Sequence, residues 1–284
     1  MKIAGVQLDV QLGDVESNQS RIIEFTGKAA AAGASLVVFP ECALTGYCFE
    51  SADEASQYAQ TIPGPFTEHL AEACERLNIH VICGMVERDG DDLFNAAVCV
   101  GPSRQINSYR KVHLPYLGVD RFVSYGNRPF EVIQVGDLRV GMNICYDGSF
   151  PEAARSLTLL GADLIALPTN WPPGAECAAQ SIASCRALEN GIYYLAVNRV
   201  GTERNFPFIG QSQICEPGGR VLHRASSTEE ELFYAEIDPA KARRKHVIRV
   251  PKEHEIHRLA DRRPELYAPL VAPHALKSPG RNES

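Results

Sequence analysis

Leu138-Arg139-Val140-Gly141-Met142-Asn143-Ile144-Cys145-Tyr146-Asp147, running on through Gly148-Ser149 to Phe150-Pro151-Glu152-Ala153-Ala154, decides the reading of this chain. An apolar run of strand character ends at a cysteine, and a helix signal opens a few residues later. That is the strand–turn–helix unit of an α/β layer. A thiol at such a turn lies near amide N–H groups and the positive end of a helix dipole. Both favour the thiolate, and both can hold the oxyanion of a tetrahedral intermediate. The logic is that of a nucleophile elbow, although no Gly-x-Ser-x-Gly is present. Read alone, the segment fits a small core cysteine better.

The same alternation extends outward in both directions. Upstream, the pattern predicts strands at Ile3–Leu8, Leu36–Phe39, His80–Met85, Leu93–Val100 and Arg104–Arg110, with helices at Asn18–Ala32 and Thr67–Leu77. Downstream, Val132–Val135 and Leu138–Asn143 flank a Gly136-Asp137 turn and read as a hairpin. Helices follow at Phe150–Leu160 and Ala175–Asn190, and strands at Leu164–Leu167, Tyr193–Asn198, Gly210–Cys215, Val221–Ala225 and Glu231–Ile237. Apolar strands between amphipathic helices predict an α/β architecture, and the hairpins make the sheets mixed. "ASLVVFPE" and "ADLIALPT" both follow a helix that ends in Gly-Ala, which suggests two similar layers. No composition break divides the chain, so it reads as one domain over residues 1–284, with a polar, Pro-rich extension from about 240 onward. That extension is expected to pack at a subunit interface.

Composition narrows the function. With 284 residues and 45% hydrophobic content, the chain can bury a large core. Its net charge is −7, and its only basic clusters are Arg243-Arg244-Lys245 and Arg262-Arg263. Nucleic acid is therefore not an expected partner, because phosphate binding needs a concentrated positive face. No apolar run approaches the ~20 residues that span a bilayer, and the first residues lack a signal-peptide pattern. The nine cysteines form no Cys-x-x-Cys pair and no cluster with nearby histidines. The expectation is a cytoplasmic protein with reduced thiols and no metal site.

Two further segments carry candidate chemistry. Phe39-Pro40-Glu41 ends a buried strand on a carboxylate, where α/β sheets place ligands and where partial desolvation makes a usable general base. Tyr109-Arg110-Lys111 ends another strand on two cations, one of which could face a cleft and hold an oxyanion. Each segment alone also fits an ordinary solvated strand end. A cysteine, a glutamate and a lysine, each at a strand end in one α/β chain, is a more specific pattern than any of the three.

Seven segments in order, "GVQLDVQLGDVESN", "GASLVVFPECALTGY", "YRKVHLP", "RVGMNICYDGSFPE", "ADLIALPTNWP", "RALENGIYYLAVNRVG" and "GQSQICEPGGRVL", resemble the nitrilase, or carbon–nitrogen hydrolase, superfamily. The resemblance covers the chain to about Ile237. It implies a four-layer α-β-β-α sandwich that assembles as a homodimer or higher homo-oligomer. It also implies a Glu–Lys–Cys triad acting without cofactor or metal: Glu41 as general base, Lys111 supporting the tetrahedral intermediate, Cys145 as nucleophile. Many relatives carry a second Glu shortly after the Lys. Here no Glu occurs before Glu131, and Asp120 is the nearest carboxylate, able either to serve in that role or to pair with Arg121 or another neighbour. "CYDGSFPE" resembles the amidase-like branch, which implies a small amide as substrate. N-carbamoyl amides are the alternative, with acyl transfer or a non-catalytic scaffold as further readings. Tyr47, Tyr146, Asn170 and Trp171 are the expected pocket residues.

Overall fold

Helix signals in this chain are local and strong. Asp14 caps the first helix by accepting from the Ser17 N–H, and Glu16 in the first turn and Lys28 in the last oppose the helix dipole. Pro65 opens another helix at the position where its missing N–H costs nothing, and Asn78, left-handed at φ 50°, closes it. Buried side chains recur at helical spacing, Ile22–Thr26–Ala29 in the first and Phe66–Leu70–Cys74 in the other.

The computed structural model describes residues 1–280. In chain order the elements are β1 (Lys2–Gln7), α1 (Val15–Ala31), β2 (Leu36–Val38), α2 (Ala52–Ser56), α3 (Pro65–Leu77), β3 (His80–Asp89), β4 (Asp92–Val100), β5 (Ile106–Arg110), β6 (Val132–Val135), β7 (Leu138–Met142), α4 (Pro151–Leu159), β8 (Leu164–Pro168), α5 (Glu176–Asn190) and β9 (Tyr193–Val197). They continue with β10 (Thr202–Glu203), β11 (Phe206–Pro207), β12 (Gln213–Cys215), β13 (Val221–Arg224), β14 (Glu231–Glu236), α6 (Pro239–Arg243), β15 (His246–Val250) and β16 (His254–His257).

Two six-stranded mixed sheets result, ordered β14-β1-β2-β3-β4-β5 and β13-β12-β9-β8-β7-β6. Each holds three neighbouring parallel strands, β1-β2-β3 in one and β7-β8-β9 in the other. The paired segments "ASLVVFPE" and "ADLIALPT" supply the middle strands of those triplets, β2 and β8. A core of Ile3, Leu36, Val38, Ile82, Ala97 and Tyr109 from the first sheet meets Val140, Leu164, Ala166 and Leu195 from the second. The opposite face of the first sheet packs on α1 and α3 through Val37, Val81, Ile22 and Leu70. Helix α5 covers the second sheet through Ala179, Ala183 and Ala187. This is the expected four-layer sandwich.

Several elements differ from the sequence reading. β3 runs on past Met85 to Asp89 and turns through Gly90, in the left-handed region at φ 61°, into β4. The extension beyond Ile237 is more ordered than its polar composition suggests. It forms α6 and a hairpin, β15–β16, and Arg243 and Lys245 pin it to the second sheet's layer through Asp163 (2.8 Å) and the carbonyl of Gly191 (2.8 Å).

Candidate active site

Three strand ends meet where the two sheets face each other. After β2 the chain passes through Phe39 and Pro40 to Glu41, then reverses at Cys42, left-handed at φ 48°. The reversal lies directly on β3, where Gly84 leaves no room for a side chain: a Cβ there would sit 2.4 Å from the Cys42 nitrogen and 2.6 Å from the Glu41 Cα. At the end of β5, Arg110 and the following Lys111 point to opposite faces, as the period of a strand requires. Arg110 pairs with Glu87 at 2.6 Å on one face, and Lys111 enters the interior on the other. After β7 the chain turns sharply at Cys145, left-handed at φ 45°, into a single 3-10 turn, Cys145–Ser149, that delivers α4. A non-glycine residue held in that conformation stores strain and persists only where its surroundings fix it.

Asp147 supplies that fixing. Its buried carboxylate accepts the Ile144 N–H at 2.9 Å, the Tyr109 hydroxyl at 2.7 Å and the His113 N–H at 3.0 Å. The cysteine turn is thereby tied to the segment that carries Lys111. His113, the one histidine near a candidate strand end, stacks on Phe150 with ring centroids 3.7 Å apart and places Nδ1 2.7 Å from the same carboxylate.

Lys111 stands between two buried carboxylates. Its Nζ lies 2.7 Å from Glu41 Oε1 and 2.6 Å from Asp120 Oδ2. Asp120 thus joins the group and does not pair with Arg121, whose guanidinium donates to the carbonyls of Gly118 and Phe49. Asn95 completes the arrangement: its amide donates to Glu41 Oε1 at 2.7 Å and Asp120 Oδ1 at 2.9 Å, while its oxygen faces the Cys42 thiol at 3.7 Å. Sequence reasoning passed over Asn95. Its signal is a lone polar residue in the run "LFNAAVCV", in step with the inward-facing Ala97 and Cys99.

Electrostatics follow from burial. Desolvation raises the Glu41 pKa above the usual carboxylate range, against the pull of Lys111. Burial opposes the Lys111 charge, but Asp120 and Glu41 outweigh it and hold the ammonium's pKa well above an ordinary lysine's. The Cys145 thiol is pushed up to about 12, first by burial and then by Glu41, with Lys111, the Thr169 side chain and the Asn170 backbone acting the other way. The resting pair is therefore a thiol beside a carboxylate. Glu41 Oε2 is buried without a hydrogen-bond partner, leaving an acceptor free for a proton.

The expected pocket residues separate. Tyr47 is wholly buried and donates its hydroxyl to Asp120 Oδ2 at 2.7 Å, so it backs the charged group. Tyr146 is 41% exposed and meets Phe150 edge-on. Asn170 is buried with both side-chain polar atoms unpartnered, and Trp171 beside it is held by its backbone N–H on Asn198 Oδ1 at 2.9 Å. Arg199 and Arg204, which a carboxylate-bearing substrate could otherwise use, are engaged elsewhere: Arg199 with Glu203, and Arg204 with Glu50 and Glu54.

The family model described as carbon-nitrogen hydrolase matches residues 2–246. A protein of Pyrococcus abyssi named as a nitrilase is 42% identical over 248 residues, covering 87% of this chain and 93% of its own. An (R)-stereoselective amidase of Pseudomonas sp. is 34% identical, covering 86% and 88%. The crystal structure of an amidase from Nesterenkonia sp. superposes with a TM-score of 0.78 at 23% identity, over 95% of this chain and 96% of that one.

Proposed function

The chain belongs to the carbon–nitrogen hydrolase family, and we propose that it hydrolyses small non-peptide amides, releasing ammonia or an amine through a thioester on Cys145. The observation that carries this reading is the buried Glu41–Lys111–Asp120 group, with one free carboxylate oxygen on Glu41, beside a thiol that stays protonated until a base takes its proton. Glu41 accepts that proton as Cys145 attacks the carbonyl carbon. Lys111 has three N–H donors. Two are spent on carboxylates, and the third, with the Tyr146 backbone N–H, receives the oxyanion. Glu41 then returns its proton to the leaving nitrogen and next activates the water that cleaves the thioester. Asp120, held by Tyr47 and Asn95, keeps the Lys111 charge in place through the cycle. The unpartnered Asn170 amide, with Trp171 and Tyr146, lines the acyl side of the pocket, which suits a small or flat group.

Incubation with a panel of small amides, ω-amides and N-carbamoyl amines is expected to yield ammonia without carbon dioxide from one class, lost in Cys145→Ala. Carbon dioxide released with the ammonia would replace this reading by N-carbamoyl hydrolysis. Transfer to hydroxylamine outrunning hydrolysis would replace it by acyl transfer. A Cys145 inert to electrophiles, in a chain inert to the panel, would make the protein a scaffold.

We further propose that it assembles as a homodimer in the cytoplasm. Its described cysteines are all free, which fits a reducing compartment. Exposed apolar side chains on the second sheet's helical layer and on the extension, among them Leu160, Leu188, Ile248 and Leu270, fit cover by a second copy. Light scattering is expected to give twice the chain mass, and a monomer at micromolar concentration would overturn the assembly.

A further inference from the structure

Arg199 and Glu203 touch none of the groups that carry the proposed reaction, yet both are buried, Arg199 completely and Glu203 to 2% exposure. The guanidinium pairs with Glu203 Oε1, donates to the Val10 carbonyl at 2.6 Å and stacks on the Phe208 ring at 4.2 Å. Glu203 gives its other oxygen to two backbone N–H groups, Tyr47 at 2.9 Å and Cys48 at 2.7 Å. Gly46 just before them is left-handed at φ 81°, and a Cβ there would stand 2.7 Å from the Leu12 Cα and 3.0 Å from Glu203 Oε1, so the loop is pressed against the carboxylate. From Tyr47 the contacts continue through its hydroxyl to Asp120 at 2.7 Å and from Asp120 to Lys111 at 2.6 Å. A buried ion pair is a weak source of net stability, because desolvating the two charges offsets their attraction. What this pair does fix is the position of one loop.

We propose that Arg199 and Glu203 are positioning residues, which hold Tyr47 and through it set Asp120 and the Lys111 ammonium against Cys145. The inference rests on the reading of Lys111 given above. It links the end of β9 in one sheet to the end of β5 in the other.

The test uses two readouts on the full chain. The first is alkylation of Cys145 by iodoacetamide against pH, followed by peptide mass spectrometry, with exposed Cys177 as internal control. The second is kcat and KM on the amide found above. Glu203→Gln keeps an acceptor for the loop but loses the charge facing Arg199, and Tyr47→Phe removes only the hydroxyl. Each is expected to shift the Cys145 alkylation profile, leave that of Cys177 unchanged, and lower kcat by about a hundredfold, the cost of small misplacements in a reacting group. KM should stay within about threefold, as for an interaction made in the transition state. The double variant should shift the profile no further than the larger single change, because both act along one route. If Glu203→Gln does not fold, Arg199→Lys, which keeps the charge and loses the fork, should reproduce the shift. Superimposable Cys145 profiles in the folded variants, or a double variant whose effects multiply, would overturn the proposal. The alkylation readout needs no turnover, so an error in the assigned substrate would not be mistaken for a failure of this route.

Discussion

Lys111→Met is expected to lower kcat/KM by at least about a thousandfold, the scale of losing an oxyanion donor. It should also destabilise the fold by about 3–5 kcal/mol, the cost of stripping one partner from a buried ion pair. The reason is geometric. Asn95 donates to Glu41 at 2.7 Å and to Asp120 at 2.9 Å, so the two carboxylates face a common centre. With the cation gone they repel in a buried, poorly solvated site, and one must hold a proton. The pH dependence has a definite sign. A buried carboxyl without its cation has a folded pKa raised above its unfolded one, so the fold binds more protons between the two values. Stability of the variant should therefore be greatest in acid and fall as pH rises through the raised folded pKa. Adding Asp120→Asn should recover most of the stability and none of the activity. Urea melts at two pH values, read beside the amide assay, check this. A Lys111→Met protein with wild-type activity, or with no pH dependence of its added instability, would remove Lys111 from its assigned place.

Glu41, Lys111 and Cys145 stood out as candidates because each follows a strand, and strand ends are where an α/β sheet exposes its chemistry; their roles came from the family resemblance. That Lys111 and Arg110, both buried, lie on opposite faces follows from strand alternation. Asn95 was readable in principle by the same parity: β4 and β5 pair with Ala96 opposite Arg110, which sets Asn95 beside Lys111, whose N–H donates to the Asn95 carbonyl at 2.8 Å. Asp120 could not be placed that way. It sits in a short 3-10 turn, and its meeting with Lys111 depends on Tyr47, which lies 73 residues away in sequence. Tyr47 itself was expected in the pocket, and only the packed structure shows its hydroxyl on Asp120. The β15–β16 hairpin stayed hidden for a different reason. His246–Val250 is largely exposed, so its sequence carries no apolar alternation to announce a strand.

Glu41→Gln should separate reactivity of the thiol from turnover of the amide. A glutamine oxygen can accept from both Asn95 and Lys111 where Glu41 Oε1 does, so the fold should persist. Proton transfer is lost at three points: from the thiol, to the leaving nitrogen and from the hydrolytic water. A fall in kcat/KM of about ten-thousandfold is expected, the upper end of what one acid–base group contributes. Alkylation of Cys145 should instead be retained or quickened. After burial, the charge of Glu41 is the largest cause holding the thiol pKa up to about 12, and removing it leaves Lys111, the Thr169 side chain and the Asn170 backbone, which all act the other way. The pH profiles should diverge in the same sense. Burial raises the Glu41 pKa in the fold, so wild-type kcat/KM should fall as pH drops through a value above the usual carboxylate range. The same raised pKa makes the fold bind more protons than the unfolded chain in that window, so wild-type stability should decline as pH rises across it. Acid therefore favours the fold while it silences the base, and both slopes belong to one carboxyl. In the glutamine variant both should be absent. If Glu41→Gln keeps the acid limb of its residual activity, the base lies elsewhere in the site, and Asp120 becomes the carboxylate to replace next.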